Sequence, residues 1–467
     1  MEMEGCGLPI RVASRRLVKA SDTSIEPHVL AVSNLDLFTN SVQGSVVCVY
    51  RKPPSGSDFK AVVAAFEANL PVFLNHFFPL TGRIVVDPVS SIPAIHCYNQ
   101  GAELLVGDAG VELRTLDWSL SEGSVKKMLV PYAEELALSL QLVSFSCGGF
   151  AVVWGTNTLL GDGNSAVMIV RAWSELVRSG TVDCRPTHSR SCSAVFRPRD
   201  PPSYGALVDG MYTRWDHDHQ VNGLTAEESF VERLYYVEGR DMARLREAAG
   251  ATSRVLAVSA YLWKVLAGVV GTSKVLAQEE KRCRMLWWVD GRHRLSSPET
   301  RALLRDYTGN VTAYVVGEAA VGTVLREPLA GVAAMAREAI TSVDYDELYQ
   351  EMVDWMEVHK PAKYFETATF GLGSPTLAQT FWSSFPGDTD FGFGQAALAM
   401  PVHASLGRLC MGLLCISAMP ADPATWIVSA SLWPRLAAAL ESDQKRVFKP
   451  LTADYLGLAD SGARPRL

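Results

Sequence analysis

The apolar run at 46–50 reads as a strand, and the polar, Pro/Gly-rich residues 52–57 end it. Phe59, Val62, Val63, Phe66 and Leu70 then recur at helical spacing within 58–75, so the chain opens as strand, loop and amphipathic helix. Pro79 and Gly82 break that helix and turn the chain extended. Residues 138–146 alternate with period two and lead through Cys147, Gly148 and Gly149 into a second apolar strand, Phe150 to Trp154. This is a hairpin with both strands largely buried. Residues 163–177 follow as a helix, with Gly163 and Asn164 near its start and Val167, Val170, Trp173, Ser174 and Leu176 on its apolar side. Thr158 to Asp162 therefore fall in the turn between a central strand and a helix, a place where catalytic residues are commonly presented.

Apolar periodicity disappears from about 184 to 225, which predicts a crossover linker between an N-terminal domain, 1–183, and a C-terminal domain, 226–467. Beyond it the pattern predicts a strand from Phe230 to Val237, a charged helix over 240–249 and an apolar helix capped by Ser253 and running to about Gly271. Met285 to Asp290 reads as a buried strand that ends in Gly291, Arg292, His293 and Arg294. Residues 459–467 read as a frayed tail.

With 467 residues the chain is longer than one core usually supports, in agreement with two domains. A net charge of -7 gives no reason to expect nucleic acid or an acidic membrane as partner, and a phosphate-bearing ligand needs a local basic pocket. The first ten residues lack the basic and apolar regions of a secretory signal, so a cytoplasmic protein is expected. The most apolar stretch, 136–170, carries Gln141, Asn157, Asp162 and Asn164, which argues for buried core rather than membrane insertion. The nine cysteines are scattered without a CxxC pair and read as reduced structural thiols. His217 and His219 with Asp216 and Asp218 read as a solvated loop, so no metal site is expected.

Within 136–170 the one ionisable side chain is Asp162. A carboxylate there needs a cationic or hydrogen-bonding partner, which makes it the best pointer to a site. The spacing Thr158-x-x-x-Asp162-Gly163 resembles the HxxxDG signature of the plant BAHD family of acyl-CoA-dependent acyltransferases, with Thr158 where the family has its histidine. Six further segments fall in the family's order. Phe77–Arg83 resembles YPLAGR, Val289–Arg294 resembles VDxRxR, Tyr307–Asn310 resembles YFGN, Thr380–Trp382 resembles TSW, and Asp390–Gly394 resembles DFGWG. Residues 142–149 are similar to the family's strand ending in CGG.

The resemblance implies an α/β, two-domain, chloramphenicol-acetyltransferase-like fold with an interdomain tunnel. It implies acyl-CoA as co-substrate, no bound cofactor, and a small-molecule hydroxyl or amine acceptor. The motif positions Thr158, Asp162 and Asp390 are the catalytic candidates that it carries over. Asn157, Thr380 and Trp382 are the substrate-binding ones, and Arg292, Gly163, Gly392 and Gly394 the structural ones. Asp162 is expected to pair with Arg292, with Arg294 as the second choice.

A histidine base contributes roughly 10² to 10⁴ in rate and needs a pKa near the working pH, which a threonine hydroxyl lacks. Of the other histidines only His293 lies beside a site motif, and strand alternation points it away from Arg292 and Arg294. Two readings stay open at this point: an acyltransferase with a weakened or relocated base, and a non-catalytic family member that binds a ligand or protein partner. A lyase or hydrolase on the same scaffold is a third.

Overall fold

The computed structural model describes residues 8, 10–54, 56–188, 194–214, 224–225, 229–273, 281–382, 389–402 and 410–459. The loop at 216–219 with its two histidines, and nearly all of the tail at 459–467, lie outside these residues.

Two large sheets carry the fold. The first has the spatial order Arg11–Val18, Ala102–Asp108, Leu138–Ser144, Phe150–Asn157, Gln43–Tyr50 and Leu398–Val402. Leu138–Ser144 and Phe150–Asn157 form the expected antiparallel hairpin, with Ser144 opposite Phe150. Both strands are almost wholly buried because both faces of this sheet are covered, and the polar Ser139 and Gln141 of the first are buried with the rest. On one face pack the helices Phe59–His76 and Gly163–Ser179, where Phe66 stacks on Trp173 with ring centroids 4.5 Å apart. On the other face a second cluster gathers Val47, Trp118, Val153 and Met400.

The second sheet runs Thr312–Ala320, Arg282–Asp290, Thr376–Trp382, Gly412–Met419, Asp422–Leu432, Val231–Val237 and Lys449–Pro450. Its main covering helix, Arg254–Thr272, is capped as expected by Ser253, whose hydroxyl accepts from the Leu256 amide at 3.2 Å. Eleven of its residues are buried, and Trp263 meets Trp287 of the sheet edge to face at 6.1 Å. The helix is long and apolar enough to cross a membrane, but core burial accounts for that character here.

Three expectations need correction. The strand Leu398–Val402 belongs to the first sheet, where Met400 lies opposite Val47, so a C-terminal unit of 226–467 does not hold for the sheets. It is an edge strand, and Pro401 fits there because one side needs no amide donor. Residues 184–225 are not a bare linker where they are described: they contain the helix Ala206–Met211 and the strand Tyr212–Arg214, which pairs with Tyr364–Glu366. Their polar composition goes into contacts with the second half, including an ion pair from Arg199 to the fully buried Asp354. Finally, the strand predicted at Met285 to Asp290 ends at Asp290 as read, but the strand alternation expected for Arg292 to Arg294 does not hold, because Gly291–His293 is a turn of 3-10 helix.

Candidate active site

A cavity of about 560 Å³ opens where the two sheets meet. Its walls come from the segment 35–42, the turn and helix start at 158–167, the strand ends at 288–290 and 310–314, and residues 380–382 of the second sheet. Thr158, Asp162, Gly163, Thr380 and Trp382 all line it.

Asp162 is the joint between the sheets. Local sequence makes it the N-cap of the helix Gly163–Ser179, its Oδ1 accepting from the Ser165 amide at 3.2 Å. Its Oδ2 accepts from Arg292 Nη1 at 2.7 Å, from the Val311 amide at 3.0 Å and from the Thr312 hydroxyl at 3.3 Å. Arg292 in turn donates to Asp290 at 3.0 Å and to the carbonyls of Tyr307 and Gly309 at 3.1 and 2.7 Å. Burial opposes the charge on Asp162, yet Arg292 and the amide donors outweigh it and hold the carboxyl below its ordinary range. Burial likewise opposes the charge on Arg292, and Asp162 and Asp290 together raise its guanidinium above its ordinary value. Arg294, the second choice, lies over the Tyr345 ring instead.

The Thr158 hydroxyl is committed to the backbone. It accepts from the Val42 amide at 2.9 Å and donates to the Thr39 carbonyl at 3.4 Å, while the Thr158 amide donates to the Val42 carbonyl at 2.8 Å. Asn157, expected to bind substrate, is buried outside the cavity wall: its Oδ1 accepts from the Leu159 amide and its Nδ2 donates to Ser41. It caps the turn Thr158–Leu160. At Gly163 a Cβ would stand 3.1 Å from the Trp382 ring, so the helix start and Trp382 pack closely there.

Asp390, expected to be catalytic, does not line the cavity. Its carboxylate accepts from the amides of Gly392 and Gly394 at 2.9 and 3.1 Å, shaping a turn in which both glycines have positive φ, 86° and 91°. Phe391, between Asp390 and Gly392, inserts among Tyr50, Phe66 and Trp154, so the segment braces the first core.

The placement of two residues comes only from the tertiary structure. Asn310, in a motif without an assigned role, donates through Nδ2 to the Thr158 carbonyl at 2.8 Å and to Asp36 at 2.9 Å. Asp36 belongs to a capping box begun by Ser33, a local signal that the spacing Ser-x-x-Asp already contained. His293 is the other: the 3-10 turn brings it to the cavity wall, where it is the one histidine among the described residues. It also lines an adjoining cavity of about 640 Å³ that carries Arg171, Arg301 and Arg305. The two spaces share Asn164, Val167 and His293.

Residues 8–446 match the model of the Transferase family. The chain belongs to that family. It is the acyltransferase family that the motifs resemble. Among relatives of this Transferase family chain, the Arabidopsis thaliana fatty alcohol:caffeoyl-CoA acyltransferase is 25% identical over 364 residues, covering 75% of this chain and 79% of the relative. Putrescine hydroxycinnamoyltransferase 1 of Oryza sativa subsp. japonica is 26% identical over 436 residues, covering 86% and 90%. In structure the chain is similar to vinorine synthase, with a TM-score of 0.66 at 20% identity, covering 97% of this chain and 99% of that one. It is also similar to F. sporotrichioides TRI101 in complex with coenzyme A and T-2, with a TM-score of 0.70 at 16% identity, covering 90% and 99%. These structures establish that the Transferase family chain has the two-domain fold that the resemblance implied.

Proposed function

We propose that this chain transfers an acyl group from an acyl-CoA thioester to a hydroxyl or amine of a small plant metabolite. The observation that carries the reading is the open cavity beside Thr158, which brings Thr380 and Trp382 of one sheet against the turn Thr158–Gly163 of the other. No described residue takes up the Thr380 hydroxyl, which leaves it available as a donor to a thioester oxygen. In the reaction the acceptor's nucleophile attacks the thioester carbonyl, the carbon–sulfur bond breaks, and the acceptor proton ends on the departing thiolate. Donors placed where the carbonyl oxygen gains charge contribute about 10² to 10³ each. Thr158 supplies no base, because its hydroxyl is bonded to Val42 and Thr39. The adjoining cavity with Arg171, Arg301 and Arg305 suits the phosphates of coenzyme A, with the thioester arm entering past His293 and Asn164. The names of the relatives, which act on fatty alcohols and on putrescine, support both acceptor classes.

A single-turnover assay with a panel of acyl-CoAs and mixed alcohols and amines tests the reading. Product from the wild type is expected. The second reading, an accessory binding protein, is favoured by the engaged Thr158 hydroxyl. It gains the field if only Thr158→His forms product.

A further inference from the structure

One charge in the cavity has no cationic partner among the described residues. Three carboxylates line it, Asp162, Asp290 and Glu366, and no described lysine or arginine does. Asp162 and Asp290 are both paired with Arg292, which reaches them from behind the wall. Glu366 is different. Its Oε2 accepts from the Thr369 hydroxyl at 2.8 Å, and no described cation forms an ion pair with it.

Glu366 is also set among aromatic rings. It ends the strand Tyr364–Glu366 directly opposite Tyr212, and cross-strand partners share a face of the ribbon. Tyr212 meets Tyr314 edge to face at 5.6 Å and Phe38 at 4.4 Å, and all three rings line the cavity. Burial above all pushes both phenols well up, and the Glu366 charge adds to the effect on each, so the carboxylate stands close to both rings. A half-buried carboxylate without a cation is costly to keep, and an ammonium group offsets that cost. Aromatic faces add to the attraction. An anionic or wholly apolar acceptor would leave Glu366 unanswered.

We propose that Glu366, with Tyr212 and Tyr314 as its walls, forms an ammonium subsite that selects acceptors with two amines on an aliphatic chain. One amine stays charged against Glu366. The other, in its neutral form, attacks the thioester; a carbon–nitrogen bond forms, the carbon–sulfur bond breaks, and the amine proton passes to the thiolate. The acceptor's chemistry rests on the acyl-transfer reading, but the binding step does not need turnover.

Calorimetric titration of the full chain with 1,4-diaminobutane and with its neutral counterpart 1,4-butanediol tests the subsite. The diamine is expected to bind the wild type about tenfold more tightly than the diol, and Glu366→Gln to remove about that factor for the diamine alone. Wild-type affinity for the diamine is also expected to weaken with added salt, a reading that needs no variant. Equal binding of diamine and diol by the wild type, or diamine binding indifferent to Glu366→Gln and to salt, overturns the proposal. Diamine binding without product from any acyl-CoA sinks the transfer reading and leaves the subsite standing. Acylation of alcohols with no diamine binding does the reverse.

Discussion

Arg292 and Asp162 meet at 2.7 Å, a guanidinium at the end of a second-sheet strand against the carboxylate that caps a helix leaving the first sheet. Both side chains are buried, at 2% and 6% exposure, so neither has water as a substitute partner. One carboxylate oxygen serves the helix and the other serves the neighbouring sheet. Asp162 is thus a structural joint, whatever chemistry takes place beside it.

Removing either partner strands the other's charge. Asp162→Ala and Arg292→Ala are each expected to cost about 3–5 kcal/mol in urea unfolding. The double variant is expected to cost much less than their sum. A loss below about 1 kcal/mol in either single variant contradicts the assignment.

The same pair sets an acid limb. The folded carboxyl of Asp162 titrates below its ordinary value near 3.9, so its contribution is complete above about pH 4 and is lost as pH falls through the folded value. The stability difference between wild type and Asp162→Asn is therefore expected to shrink on acidification from pH 6 to pH 3. A difference that is constant across that range argues against the linkage.

Thr158 holds the wall segment 35–42 through the Val42 amide. Thr158→Val leaves that amide without its acceptor and is expected to lower stability by about 1–3 kcal/mol, while Thr158→Ser keeps the bond and stays near wild type. Matching melting temperatures for the two variants would contradict a role for the hydroxyl.

Thr380 has no described partner to abandon, so Thr380→Val is expected to leave the melting temperature unchanged. Its single-turnover rate is expected to fall about 10²-fold if the hydroxyl meets the thioester oxygen. An unchanged rate removes Thr380 from the oxyanion position.

Gly392→Ala forces a Cβ into left-handed backbone at φ 86° with no clash to add, so a loss of about 1–2 kcal/mol is expected. Because the Asp390 turn stands outside the cavity wall, the rate of the folded protein should not change. A rate effect at constant stability would return this segment to the site.

Elements with strong local signals were legible in the chain. The hairpin around Gly148, the helix after Asp162 and the helix after Ser253 each combine a clear period with a cap or turn residue, and each formed as read. The Asp162–Arg292 pair was legible for another reason: a carboxylate in apolar surroundings demands a partner. Asn157 and Asp390 misled, because a polar side chain near a motif can serve its own backbone as readily as a ligand, and both do so.

By itself, the sequence determined the local elements, the family, and the presence of one carboxylate that had to be paired across the molecule. Its reach ended where partners come from distant segments. The tertiary structure decided that Leu398–Val402 crosses back into the first sheet, that the Thr158 hydroxyl accepts from the Val42 amide, and that a turn carries His293 to the cavity. It also set Glu366 opposite Tyr212, with no cation paired to it among the described residues. Strand pairing and side-chain direction between residues more than a hundred positions apart depend on how whole sheets pack, and no local pattern encodes that.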